Sequence, residues 1–92
     1  MTNRVKKGFG MVSTTVMRNP ELSLGEKALY AYLSTYASSS NDELFVAINK
    51  MASECNIGVS TVKRYLATLE KKNIISRVSR GHKVSKITIL LK

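Results

Sequence analysis

Ninety-two residues, 43% of them hydrophobic and 23% charged, give one globular domain with a single modest core. The longest apolar run, "ITILL" at 87–91, falls far short of the roughly 20 residues of a membrane span. No apolar stretch follows the basic N-terminus, so neither a membrane span nor a signal peptide is expected, and the expected compartment is the cytoplasm. Fifteen Lys and Arg against six Asp and Glu leave +9, the excess expected of a chain that meets a polyanion.

In chain order, residues 1–8 form a basic flexible arm and 9–92 the folded domain. "FGMVSTTVM" (9–17) is rich in β-branched and apolar residues and reads as a short N-terminal strand with imperfect alternation. Asn19 before Pro20 ends it, because a residue preceding proline is pushed out of helical geometry. Ser23 and Glu26 then make a capping box, and Leu29, Tyr32, Leu33 and Tyr36 follow at i, i+3, i+4 and i+7. This spacing predicts an amphipathic helix ending near Ala37, with Tyr32 and Tyr36 on its buried stripe.

A polar "SSSND" loop leads to "ELFVAI", a short extended piece. Ile48, Met51, Ala52 and Cys55 repeat the helical spacing, as do Val62, Tyr65, Leu66 and Leu69 after a break at Asn56, Ile57 and Gly58. Cys55 is the single cysteine, consistent with a reducing compartment, and on this stripe it reads as a small buried hydrophobe. Asn73 closes the second of these helices as a left-handed cap behind Lys71 and Lys72. From Ile74 the period becomes two, predicting strands Ile75–Arg80 and Val84–Leu91 joined at "GHK", with Ser85, Ile87, Ile89 and Leu91 facing the core.

The charge is segregated along this layout. Residues 63–92 carry net +8 and 1–18 net +4, whereas 19–62 carry net −3. Such a footprint points to nucleic acid first and an anionic membrane second. A short helix, a three-residue break, a longer helix and a hairpin are the layout of a winged helix-turn-helix, an α+β fold of three helices plus a C-terminal β-hairpin wing. The longer helix would turn Ser60, Thr61, Lys63, Arg64 and Thr68 outward, short hydroxyls and long bases that reach base edges or phosphates in a major groove. Lys71 and Lys72 at its far end, and Arg77, Arg80, His82, Lys83 and Lys86 on the wing, would lie along the sugar-phosphate chain.

At this point the residues resemble a known family. "LSLGEKALYAYLSTYASSS…LFVAINKMASECNIGVSTVKRYLATLEKKNIISR" is similar to the winged helix-turn-helix domain at the N-terminus of replication initiators of Gram-positive plasmids and phages, including DnaD-like primosome proteins. The likeness covers 22–77 and is most specific in "EKALYAYL" and "STVKRYLATLEKKNII". Val46 and Ala47 stand where the pattern has Pro-Ser, Asn56 and Asn73 where it has glycines, and Gly58 where it has a serine N-cap. The resemblance implies double-stranded DNA as partner, with the longer helix reading the major groove. Initiators carry a further C-terminal domain, so the chain is expected to be either one domain of such a protein or a self-contained regulator.

No Gly-rich phosphate loop, catalytic carboxylate pair or nucleophile elbow appears, so no enzyme, cofactor or small-molecule substrate is expected. One His and one Cys, far apart, assemble no zinc site. The expected function is sequence-specific binding of duplex DNA, as a homodimer, in a replication initiator or transcription regulator of a plasmid, phage or other mobile element. The alternative is a protein-interaction adaptor on the same scaffold, modulating a host replication or defence protein.

Overall fold

The structure is a computed structural model that describes residues 10–37, 42–80 and 84–91. The basic arm 1–8 and the hairpin tip 81–83 lie outside the described residues. The elements run α1 (Thr14–Met17), α2 (Leu24–Ser34), β1 (Glu43–Ala47), α3 (Ile48–Cys55), α4 (Val59–Lys71), β2 (Ile75–Arg80) and β3 (Val84–Ile89). The fold is α+β and consistent with a winged helix-turn-helix.

The expected N-terminal strand gives way to the helical turn α1. Ser13 caps it, its Oγ accepting from the Val16 N–H at 3.3 Å. A strand needs a partner edge for its backbone, and here the Ser13 N–H goes instead to the Tyr30 hydroxyl at 2.8 Å. Within the turn only Val16 is buried, which suits a helix rather than alternation.

The capping box of α2 forms as expected, with Glu26 Oε1 accepting from the Ser23 N–H (2.8 Å) and Ser23 Oγ from the Glu26 N–H (3.1 Å). The buried stripe is rotated from the predicted one, to Leu29, Tyr30, Leu33 and Ser34. Tyr30 is fully buried because the two ends of the domain converge on it: its hydroxyl accepts from Ser13 and donates to the Leu91 carbonyl at 2.9 Å. The helix stops at Ser34, so Tyr36 lies beyond it and is exposed, and Tyr32 is only half-buried.

These two tyrosines instead join α2 to α3. Both phenols donate to Glu54 Oε1, Tyr36 at 2.7 Å, and their rings meet edge-on at 5.4 Å between centroids. Burial, followed by the bond to Glu54, pushes the Tyr32 phenol well above its usual range. The two phenol hydrogen bonds, Tyr32's the larger, hold the Glu54 carboxyl below its usual value. Since the folded value is the depressed one, the contribution to stability is complete above the unfolded value of 4.5 and is lost as pH falls through the folded value. Urea midpoints of the wild type and Glu54→Gln, measured from pH 7 to pH 3, should differ by a constant amount above that value and converge below it. A gap independent of pH would show that the carboxylate charge contributes nothing.

α3 and α4 end alike. Asn56 (φ 57°) and Asn73 (φ 60°) are both left-handed. The Ile57 and Ile74 N–H groups reach back to Ala52 O and Leu69 O at 3.0 Å each, closing Schellman caps of the kind that glycine usually makes. Each cap folds its isoleucine inward, Ile74 into the core and Ile57 against it. At the other ends, neither Ala47 before α3 nor Gly58 before α4 makes a side-chain cap.

The extended piece at 43–47 is a true strand, and the three form an antiparallel sheet in the order β1-β3-β2. Ile87 stands opposite Leu44 on one side and Arg77 on the other, while Lys86 stands between Phe45 and Val78. Directly opposed residues share a face, so Leu44, Val46, Ile75, Ile87 and Ile89 pack inward onto Val62, Leu66 and Leu69 of α4. Phe45 and Val78 lie on the outer face.

Candidate nucleic-acid interface

α4 is held from beneath by Val62, Leu66 and Leu69, all fully buried, against α2, α3 and the sheet. The face opposite that stripe is thereby turned to solvent. Helical arithmetic gathers Ser60, Lys63, Arg64, Ala67 and Lys71 there, and all five are exposed. Thr61 and Thr68 are half-buried on its margin, with the Thr68 hydroxyl donating to the Arg64 carbonyl at 3.3 Å. The single acid of the helix, Glu70, is turned away to Arg77. The exposed face therefore carries cations without an acid among them. At its leading end, Gly58 leaves the first-turn N–H groups without a side-chain acceptor, an arrangement that favours an approaching anion.

The basic residues fall into two sets. Among the described residues, Lys63, Arg64 and Lys71 have no carboxylate partner. Lys72 is paired with Glu21 at 3.2 Å, Arg77 with Glu70 at 3.2 Å and Lys86 with Glu43 at 3.3 Å, and all three are half-buried. Arg77 shares the inner face of the sheet with Ile87, and its pair ties β2 to α4. Lys86 reaches across the sheet from β3 to β1. The structure thus gathers the α4 cations into one surface and engages the three others elsewhere. His82, Lys83 and the side chain of Arg80 lie outside the described residues.

One residue that sequence reasoning passed over also lies on this face. Ala67 sits one turn after Lys63 and Arg64 on the same face, and wheel arithmetic on the apolar stripe would have found it. Asn49, Lys50 and Ser53 are the exposed complement of the α3 stripe. Lys50 lies 5.8 Å from the Tyr36 ring centroid. Cys55 is half-buried, and burial, with Glu54 adding to it, raises its thiol above the usual range, as suits an inert packing residue.

Among the described residues no helix is long and apolar enough to cross a membrane, and no three His, Cys, Asp or Glu side chains group as a metal site requires. No curated protein matches the chain. Residues 21–75, about three-fifths of the sequence, match a family described as a helix-turn-helix domain, and the match runs from just before α2 to the start of β2. With α3, the Asn56 turn and an outward-facing cationic α4 in place, the chain belongs to that family of DNA-binding helix-turn-helix domains.

Proposed function

We propose that the domain reads duplex DNA sequence-specifically, with α4 in the major groove and the hairpin on the backbone. The observation that carries this reading is the outer face of α4, where Ser60, Lys63, Arg64, Ala67 and Lys71 stand exposed with no carboxylate among them. A helix of this diameter fits a groove about 12 Å wide, hydroxyls and a guanidinium can address base edges there, and an alanine methyl can meet a thymine methyl. We assign it to a replication initiator or transcription regulator of a mobile element, acting in the cytoplasm as a homodimer without cofactor or catalytic step. Selection of bound sequences from a random duplex pool tests this. A palindrome would fit a dimeric regulator, tandem repeats an initiator, and no enrichment would overturn sequence-specific reading. Sedimentation with and without the selected duplex tests the dimer, and monomer alone in both would remove it.

The two sets of cations give a sharper expectation. Lys71→Ala should lower the slope of log affinity against log salt by about 1, as loss of one phosphate contact does. Lys72→Ala should change it less, because Glu21 already screens that charge. Equal slopes for both variants would count against the division.

The adaptor reading draws on a different observation. Phe45 and Val78, 60% and 56% exposed, flank Lys86 in one row on the outer face of the sheet. An adaptor would show weak, sequence-blind DNA binding and a tight protein partner on that face.

A further inference from the structure

Tyr65 is half-buried on α4, next to Arg64 at the margin of the cationic face. Its ring lies over Gly25 in the first turn of α2, so closely that a Cβ on Gly25 would fall 2.3 Å from the phenol oxygen and 2.6 Å from Cζ. The bare Cα of Gly25 is therefore the seat of the ring. On the ring lies the Arg64 guanidinium, its central carbon 5.5 Å from the centroid, within cation–π range. The Tyr65 hydroxyl makes no hydrogen bond within the described residues, so what the site uses is the ring. Among the described residues Arg64 has no carboxylate partner, and a guanidinium held over a ring keeps its planar fork of N–H donors open for a bidentate acceptor.

We infer that Tyr65 is a positioning residue for Arg64: seated on Gly25, its ring holds the guanidinium in place on the outer face of α4 before any ligand arrives. A long cationic side chain loses rotamer freedom when it binds, and a platform that orders it beforehand removes part of that cost. It acts on specific recognition, which needs the fork in one orientation, and leaves diffuse attraction to phosphate unchanged. The inference rests on reading α4 as the DNA-facing helix, although the platform itself belongs to the free protein.

Two measurements on the full chain test it. In NMR spectra of the free protein, the Arg64 δ and ε protons should carry a ring-current shift that survives in Tyr65→Phe and vanishes in Tyr65→Leu. Gly25→Ala, which keeps the tyrosine but dislodges its ring, should also abolish the shift, and it serves if Tyr65→Leu does not fold. Binding to the selected duplex should be about two- to fivefold weaker in Tyr65→Leu and nearly unchanged in Tyr65→Phe, with binding to a scrambled duplex unaffected. The double variant Arg64→Ala/Tyr65→Leu should bind no more weakly than Arg64→Ala alone. Absence of the shift in the wild type, equal weakening by Phe and Leu, or full additivity of the two losses would overturn the platform. If the wild type bound no duplex at all, the DNA reading would fall, and the ring-current comparison would still decide the platform.

Discussion

Tyr30→Phe is expected to destabilise the domain by about 1–3 kcal/mol, although it removes a single oxygen. That oxygen is fully buried and makes two bonds of opposite sense, accepting from the Ser13 N–H and donating to the Leu91 carbonyl. With phenylalanine, the donor and acceptor both remain while their partner is gone, and Ser13 is itself 7% exposed, with little water to replace it. For a domain of this size each kcal/mol corresponds to about 4–8 °C in Tm. Urea unfolding at neutral pH gives the loss, and amide hydrogen exchange at Ser13 locates it. A change of only a few tenths of a kcal/mol, with Ser13 still protected, would mean that the phenol is not what joins the two ends.

Arg64→Ala should have the largest effect on binding, about 1–3 kcal/mol on the selected duplex if the guanidinium makes a bidentate contact to a base edge. Its effect on a scrambled duplex should be smaller, since only the contact to the base is sequence-dependent. The comparison is Lys83→Ala, expected to weaken both duplexes alike, as loss of a phosphate contact does. Affinities for all four combinations at one salt concentration are sufficient. If Arg64→Ala weakened both duplexes equally, Arg64 would be a backbone contact and the reading of α4 as a base reader would fail. Negligible effects of both substitutions would remove the proposed surface altogether.

The helices of the motif could be read because their signals are local. The Ile48–Cys55 and Val62–Leu69 stripes report burial through spacing alone, and the caps at Ser23, Asn56 and Asn73 are properties of single residues. Where sequence reasoning failed, the cause was a distant partner. Residues 9–17 have strand-like composition, but the group that accepts the Ser13 N–H is Tyr30, and nothing near residue 13 announces it. The α2 stripe is rotated for the same reason, since burial of Tyr30 depends on residues 13 and 91 meeting over it. Tyr36 belonged to the predicted stripe only while the helix was taken to continue, and it ends at Ser34.

At the interface, sequence named the cations but could not divide them. Lys71 and Lys72 are adjacent and chemically identical, and only the fold brings Glu21 to one of them. Arg77 was grouped with the wing by its place in the chain, whereas register puts it on the inner face beside Glu70. Ala67 was overlooked because an alanine carries no polar signal, although helical geometry alone places it among the bases.

The sheet order has a kinetic consequence. β3 is the last of the three strands in sequence yet central in the sheet, and β1 and β2 share no hydrogen bonds with one another. Until Val84–Ile89 has been made, β1 has no strand to pair with, and Leu44 and Val46 lack the opposing Ile87 and Ser85. Pairing across so long a stretch of chain is slow, because loop closure is costly before the contacts form. α3 and α4, which follow one another in sequence, can pack together first, and β1 is tied into the sheet when its middle strand arrives. The proposed DNA-binding face of α4 is thus supported from below by a sheet whose central strand is the last of the three in sequence.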